Sequence, residues 1–543
     1  MATALALVPA QAAGGAAVNR PNATPQWAFP ATATNTVVSA PTTGGGYPVP
    51  PGATAPTPGT CRAGTFNANH SESWLAVQPG TENIVGSSKF FFEKYSTFYD
   101  FYLGSYFIQN GAPVNNQIIQ GYDCTTVGTQ DMPPSWTNTT DPNVAFDSKG
   151  RVYQTMLPFN AFWANLHPNG AINVSYSDPP YNQWVTGNGG QPLEQSPNAS
   201  SLQFGHVEDK QWIAVNSIPG SPNQDHVYAT WDIINGNVGS TVKIKMAVSR
   251  DRGATFSKPV AIASASVDQQ RNQYTYPSID AAGDVYVGYA NIGTKASTAD
   301  LYVAVTKDDG ATFTVHKAAT ANLLPGILPN TTFRDGITEN FAASPTYPGH
   351  LYMTYEDWDG TQADIKFTQS TDGGATWSAP VKVNDNASEP TDQFQPSVAA
   401  GPNGAVAIGF YDRRAACPSD PSILPADVGR TNFCINTTVQ AYKDSGSGAV
   451  AIGSNIRASK YTWDPQQPGQ HLEGLPQLAC ASHSNPCRRA FIGDYFGIAI
   501  SGNNIYTLSV STHYPSNVTA DEGGPIYYQQ QVLATIPRTA AGL

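Results

Sequence analysis

Three copies of one eight-residue pattern limit what this chain can fold into more than any other feature. SRDRGATF, TKDDGATF and STDGGATW begin at Ser249, Thr306 and Ser370, so they recur at intervals of 57 and 64 residues. The shared form is S/T-x-D-x-G-x-T-F/W, and its fixed positions have mechanical uses. The Asp accepts hydrogen bonds from the turn backbone, the Gly takes a positive φ, and the closing aromatic tucks beneath a hairpin. A turn repeated at near-constant spacing implies a supersecondary unit repeated at that spacing.

A looser repeat accompanies the turns. An apolar strand, a Gly/Asn/Pro turn and a second strand rich in Val, Tyr and Ile recur over 73–90, 142–157, 211–233, 276–291, 340–358, 395–414 and 495–514. Each copy suits the two inner strands of a propeller blade. The expected architecture is all-β: a β-propeller of seven blades, each with four antiparallel strands. Six blades follow if the first or last copy is only a flanking hairpin. A β-sandwich array competes, but it does not explain a turn at fixed phase in a period of ~60 residues. Up to about Thr60 the chain is Ala/Thr/Pro/Gly-rich and lacks a hydrophobic period. Residues 1–60 therefore read as a disordered leader and 61–543 as one propeller domain.

Composition excludes several function classes. Only 13% of residues are charged, against ~25% in average soluble proteins. With 28 Lys+Arg against 40 Asp+Glu the net charge is −12, and no basic run offers a track for nucleic-acid phosphates. No apolar stretch approaches the ~20 residues needed to span a bilayer. Phosphate-cradling GxxxxGK(S/T), zinc-protease HExxH and dinucleotide-binding GxGxxG motifs are absent. The six Cys, an even number, fit an oxidising compartment. Cys417 with Cys434 and Cys480 with Cys487 are close pairs among loop residues, which leaves Cys61 to pair with Cys124. Cys480, His483 and Cys487 also read as three zinc ligands, though no fourth is apparent nearby. Met1 to Ala13 reads either as the back half of a signal peptide or as a disordered Ala-rich terminus. The expectation is a secreted monomer.

Propeller topology converts phase into position. The three turns follow the third strand of their units, which puts them on one face and makes Asp251, Asp308 and Asp372 turn-formers. The opposite face should gather residues at the start of each first strand and the end of each second. These are Glu72, Asp209, Arg271, Arg334, Asp335, Glu339, Glu356, Asp357, Tyr411, Asp412, Arg413, Arg489 and Asp494, with Trp231, Trp358, His513 and Tyr514. Such a mouth suits a neutral or acidic sugar: aromatic faces stack on the ring, Arg forks grip a carboxylate, and paired carboxyls cleave the glycosidic bond. Asp412-Arg413 and Arg489 with Asp494 read equally as ion pairs between blades, and Glu72 and Asp209 as caps on strand-entry amides. No cofactor is expected. The Asp357-Trp358-Asp359-Gly360 fragment hints at structural calcium but lacks the twelfth-position Glu of an EF-hand loop.

The three turns resemble the Asp-boxes of the sialidase-like (BNR-repeat) β-propellers, and the repeat phase extends that resemblance over roughly 70–540. The resemblance implies a secreted glycosidase in which three Arg hold a substrate carboxylate, a Tyr activated by a Glu is the nucleophile, and a loop Asp is the acid/base. Arg334, Arg413 and Arg489 are the candidate anion grips, with Asp494 and Trp358 beside them. Tyr411 is the candidate phenol, and Glu339, Glu356 and Asp412 the candidate carboxyls. The family's N-terminal Arg-Ile-Pro element has no counterpart at the start of the propeller; Ile536-Pro537-Arg538 lies at the far end in the wrong order. A non-catalytic carbohydrate- or surface-binding propeller and a polysaccharide lyase stand as alternatives. Two mouth carboxyls ~5–9.5 Å apart favour hydrolysis over both.

Overall fold

The computed structural model describes residues 27–39, 69–91, 101–118, 138–159, 170–196, 207–235, 241–262, 271–293, 297–331, 333, 335, 339–387, 390–419, 425–465, 491–515 and 527–543. They form seven antiparallel sheets arranged as a seven-bladed propeller. Helix among them is confined to short 3-10 turns, and none is long and apolar enough to cross a membrane. The inner strands of blades 1 to 7 are His70–Val77, Asn138–Phe146, Val207–Val215, Asn272–Ile279, Glu339–Ala343, Gln393–Ala400 and Gly497–Ile500. Each packs on the next around the ring, and blade 7 meets blade 1.

The middle of each blade is sandwiched between its neighbours, so its strands read as unbroken apolar runs. All eight residues of Ala405–Asp412 are buried, whereas the outer strand Ala449–Arg457 mixes buried and exposed positions. Blades approach closely enough to need glycine. A Cβ on Gly288 would lie 2.6 Å from the Cβ of Phe341 on the next blade.

The ring closes with a strand from the leader. Thr34–Val37 pairs antiparallel with Gln530–Pro537 as the outer strand of blade 7, Thr34 facing Thr535 and Val37 facing Val532. Trp27 anchors this segment: its indole donates to Thr438 Oγ1 at 3.1 Å. Its ring also takes the guanidinium groups of Arg414 and Arg457 at 4.9 and 5.4 Å. Residues 27–39 are thus part of the propeller rather than a structureless leader. Residues 1–26 and 40–60 lie outside the described residues.

The three repeated turns behave as their pattern implies. In the first, Thr255 donates from its amide and hydroxyl to the two Asp251 oxygens at 2.8 and 2.6 Å. Asp308 with Thr312 and Asp372 with Thr376 repeat the arrangement. Phe256, Phe313 and Trp377 pack half-buried against the core. The Thr312 hydroxyl and amide hold Asp308 down to about 2. Gly373 donates to the carbonyl of Gly349 at 2.9 Å, joining this turn to the one between the first two strands of its blade. The repeated turns and the inner-strand ends therefore share a face, and the inner-strand entries face the other way.

Cys417 and Cys434 form a disulfide beside the buried ring of Phe433. The expected pairs Cys61–Cys124 and Cys480–Cys487, and the zinc reading of Cys480, His483 and Cys487, fall outside the described residues.

Candidate functional site

Five inner strands carry a bulge at one register where they enter the sheet. Pairing with the second strand skips between Ser71 and Trp74, Thr140 and Asn143, Asp209 and Trp212, Gln273 and Tyr276, and Phe394 and Ser397. Within each skip one residue turns left-handed: Glu72 (φ 52), Asp141 (φ 57), Lys210 (φ 48), Tyr274 (φ 64) and Gln395 (φ 47). None is a glycine, so each bears strain of ~1–3 kcal/mol that the surrounding sheet must hold. A bulge re-aims a side chain, and here it sends side chains across the mouth. In blade 7 the same register holds Tyr495, and the left-handed residue is Gly493 (φ 104), which packs on the Glu72 backbone.

One side of this mouth is an ion network. Lys210 reaches from blade 3 to Asp494 of blade 7 at 2.9 Å and to Asp141 of blade 2 at 3.3 Å. Lys89 pairs with Glu72 at 2.8 Å. The Thr140 hydroxyl lies 3.2 Å from Glu72 Oε2 and 2.8 Å from Asp141 Oδ1. Glu72 and Asp141 are both buried but titrate apart. Burial, then the charge of Asp141, pushes Glu72 up to about 7 against the pull of Lys89 and Lys210. Burial also opposes ionisation of Asp141, yet Lys210, Lys89 and the Thr140 bond outweigh it and hold the carboxyl below its usual range.

On the other side no described cation pairs with Glu339 or Glu356. Glu356 accepts from the backbone amide of Gln395 and shares a carboxyl–carboxyl hydrogen bond with Asp335. The Gln395 side chain reaches Asp335 Oδ1 at 3.4 Å and the Gly493 carbonyl at 2.7 Å. Glu339 is wholly buried and neither oxygen has a well-formed hydrogen bond; only the amides of Glu339 and Ala290 offset its burial in part. Burial holds Glu339 well above the usual carboxylate range; for Glu356 burial and then Asp335 do the same. Trp74, Trp212, Tyr276 and Tyr495 floor the mouth, with centroids 4.6 to 6.2 Å apart at edge-on angles. Beneath them a cavity of about 270 Å³ is walled by inner-strand residues such as Val77, Phe341, Val398 and Ile500.

The expected residues divide. Glu339, Glu356 and Asp494 come to the mouth, with Glu72. Tyr411 does not: its ring packs among Phe394, Trp463 and Phe496, and its hydroxyl accepts from the Val510 amide at 3.2 Å. Asp412 is buried with Gln393, Arg414 and Thr438 as partners. Arg413 is fully buried; it pairs with Asp392 at 3.1 Å and donates to the carbonyls of Pro329, Asn330 and Phe433. Arg413 fits the reading of a tie between blades, since it reaches the segment leading into blade 5, and Tyr411 joins blade 6 to blade 7; the partners of Asp412 all belong to blade 6. The physical reason is layering: the end of a second strand lies one layer out from the axis, so a side chain there reaches the mouth only where it meets a neighbouring inner strand, as Glu356 does at Gln395. Trp231 is likewise buried, its indole on Glu194. Trp358 is half-buried, and Asp357 and Asp359 accept from Asn322 and from the Thr361 and Gln362 amides. No group of three or more acidic, His or Cys side chains among the described residues could hold a metal ion. Arg334 and Arg489 lie outside the described residues.

Sequence reasoning missed Lys89, Asp141, Lys210, Tyr274 and Gln395. For the four on inner strands a signal existed: aligned on the last inner-strand residues Phe146, Val215, Ile279 and Ala400, each lies five positions earlier. Glu72 stands in the same relation to Val77.

No family model and no curated protein matches the chain. Solved structures similar to it include a Hadza microbial sialidase, at 12% identity over 82% of this chain and 74% of that one, with a TM-score of 0.40. The NanB sialidase of Streptococcus pneumoniae is similar at 12% identity over 86% and 68% of the two chains, with a TM-score of 0.37. The GH93 alpha-L-arabinofuranosidase of Fusarium graminearum is similar at 14% identity over 62% and 98%, with a TM-score of 0.34. At such scores the functional reading has to come from the mouth itself.

Proposed function

We propose that the chain is a glycoside hydrolase working in the propeller mouth, with Glu72 as proton donor and acceptor and Asp141 as carboxylate nucleophile. The observation that carries this reading is the split titration of two carboxyls beside one hydroxyl. Glu72 stands at about 7, while Asp141 is held ionised. Opposed environments of this kind assign the acid and the nucleophile. Protonated Glu72 gives its proton to the leaving glycosidic oxygen as Asp141 attacks the anomeric carbon. The Glu72 carboxylate then takes a proton from water, and the resulting hydroxide oxygen displaces Asp141 from the sugar.

Spacing favours this two-step course. The Glu72 and Asp141 oxygens facing Thr140 can be no further apart than those two contacts laid end to end, about 6.0 Å. Inverting enzymes need ~6.5–9.5 Å to admit a water between the carboxyls, whereas retaining ones work near ~5–5.5 Å. A phenol nucleophile fits less well. Tyr274 stands in the mouth, but burial raises its pKa and the carboxylates of Asp494, Glu339 and Asp209 add to that against Lys210. The repeated turns support grouping the chain with sialidase-like propellers in architecture, without phenol chemistry. We also infer secretion, which the Cys417–Cys434 disulfide supports.

The test is a panel of aryl glycosides and sialyl substrates given to the purified protein, with the product anomer followed by NMR. Hydrolysis with retention is expected, lost in Glu72→Gln and Asp141→Asn variants that remain folded at the assay temperature. Inversion, or full activity in either variant, overturns the assignment.

A further inference from the structure

The side of the mouth around Glu339 and Glu356 has no part in that chemistry. Every carboxyl of the ion network has a lysine within 3.3 Å. Among the described residues no basic side chain acts on Glu339 or Glu356, though both are buried. Burying a carboxyl without a partner is costly, and the cost is relieved by a proton or by a cation. Both Glu339 oxygens are open to hydrogen bonding, and the groups around them are Glu356 and Asp335 of the same blade with Tyr274, Tyr276 and Asp232. Among the described residues the acidic side chains do not converge as a metal shell. An ammonium suits them better, because it brings one charge and three donors to acceptors on separate strands.

We propose that Glu339 and Glu356 form a receptor for a ligand ammonium, so that the mouth takes an amino sugar. The hydrolase reading enters only in identifying the ligand as a sugar. The ammonium does for Glu339 and Glu356 what Lys89 and Lys210 do for Glu72, Asp141 and Asp494. Tyr274 and Tyr276 of blade 4 lie within the field of Glu339.

Calorimetry on the intact protein near neutral pH tests this with glucosamine oligomers against their N-acetylated counterparts, which keep the ring and lack the charge. The amine form is expected to bind at least ten-fold more tightly. Its binding should release about one proton, because the carboxyl it meets must ionise. The releases are separated by repeating the titration in buffers of different ionisation enthalpy. Glu339→Gln and Glu356→Gln should each abolish the preference and the proton release. Equal affinity for the two oligomers, or a preference that survives both substitutions, overturns the receptor. A calcium chloride titration forms the third arm: calcium binding lost in Glu339→Gln, with no amine preference, gives the cluster to a metal and overturns the ammonium. Turnover measured in parallel separates the two readings. Amine preference without hydrolysis of any sugar supports the receptor against the hydrolase, and hydrolysis without amine preference overturns the receptor alone.

Discussion

The two sides of the mouth face the same problem, carboxyls gathered near the axis of a propeller, and meet it differently. Around Glu72, Asp141 and Asp494 the chain supplies its own cations, and Lys210 crosses from blade 3 to blade 7 to do so. Around Glu339 and Glu356 it supplies none among the described residues. Yet the local device is shared, because left-handed bulges place Glu72, Asp141 and Lys210 on one side and Gln395 on the other. The difference teaches that backbone geometry sets where the mouth residues stand, while the placing of the lysines, Lys210 above all, keeps Asp141 charged. A charged carboxylate can attack or take a proton; a neutral one waits for a proton or a ligand cation to leave or arrive.

The largest effects are expected from removing the chemistry on the charged side. Glu72→Gln should lower kcat/KM by roughly 10²–10⁴-fold, the usual worth of a positioned proton donor. Asp141→Asn should lower it at least as far, and steady-state rates on a cleaved aryl glycoside check both. A loss confined to KM would place these residues in binding and erase the distinction between the two sides.

Breaking the built-in cation comes next. Lys210→Met leaves Asp141 buried with its main counter-charge gone, which should cost about 3–5 kcal/mol of stability by urea denaturation. Arg413→Ala is the control of similar size away from the mouth. It strands Asp392, so it should cost about 3–5 kcal/mol while the remaining folded protein keeps its turnover. Equal rates per folded molecule in Arg413→Ala and wild type would confirm Arg413 as a tie between blades. A folded but inactive Arg413→Ala would return it to the role of substrate grip.

A pH profile probes the charged side with less disturbance. Glu72 must be protonated to act as the acid, so kcat/KM should fall as pH rises through about 7. Asp141 must be ionised, and its depressed pKa puts the acid limb below the ordinary carboxylate range. Lys210→Met removes the group that most favours Asp141 ionisation, so the acid limb should move to higher pH. An unmoved limb would mean that Lys210 orders the mouth without setting its charge.

The propeller was legible because its evidence is local and repeated. Ser249, Thr306 and Ser370 each open a turn whose hydrogen bonds close within seven residues, and each hairpin shows its burial in its own apolar run. The outer strand Thr34–Val37 was not legible. TNTV lies in an Ala/Thr-rich stretch without alternation, and its partner Gln530–Pro537 is at the far end of the chain. In the mouth, Glu339, Glu356 and Asp494 could be found from phase. The same phase rule misled at Tyr411, Asp412 and Arg413, because it located strand ends without distinguishing the axial layer from the one behind it. Asp141 and Lys210 sit at strand entry beside Pro142 and Gln211, where polar residues look like ordinary turn sequence. Only the register shared with Glu72 marks them.

The smallest expected effect is also the one that separates the two sides by sign alone. Glu339 has a folded-state pKa raised above its unfolded value, chiefly by burial. As pH climbs past the unfolded pKa, the unfolded chain releases a proton that the folded chain keeps, so wild type loses stability until pH passes the folded pKa. Gln does not titrate. Glu339→Gln should therefore match wild type under acid conditions and become the more stable protein as pH rises toward neutral. Asp141 has the opposite shift: its folded pKa is depressed, so its contribution is present at neutral pH and is lost as pH falls through that folded pKa. Asp141→Asn should be the less stable protein at neutral pH, with the gap closing in acid. Melting temperatures of both variants across this range would show the two trends crossing in direction. If both variants gain stability with rising pH, Asp141 is neutral in the folded protein and the charged side of the mouth does not exist as described.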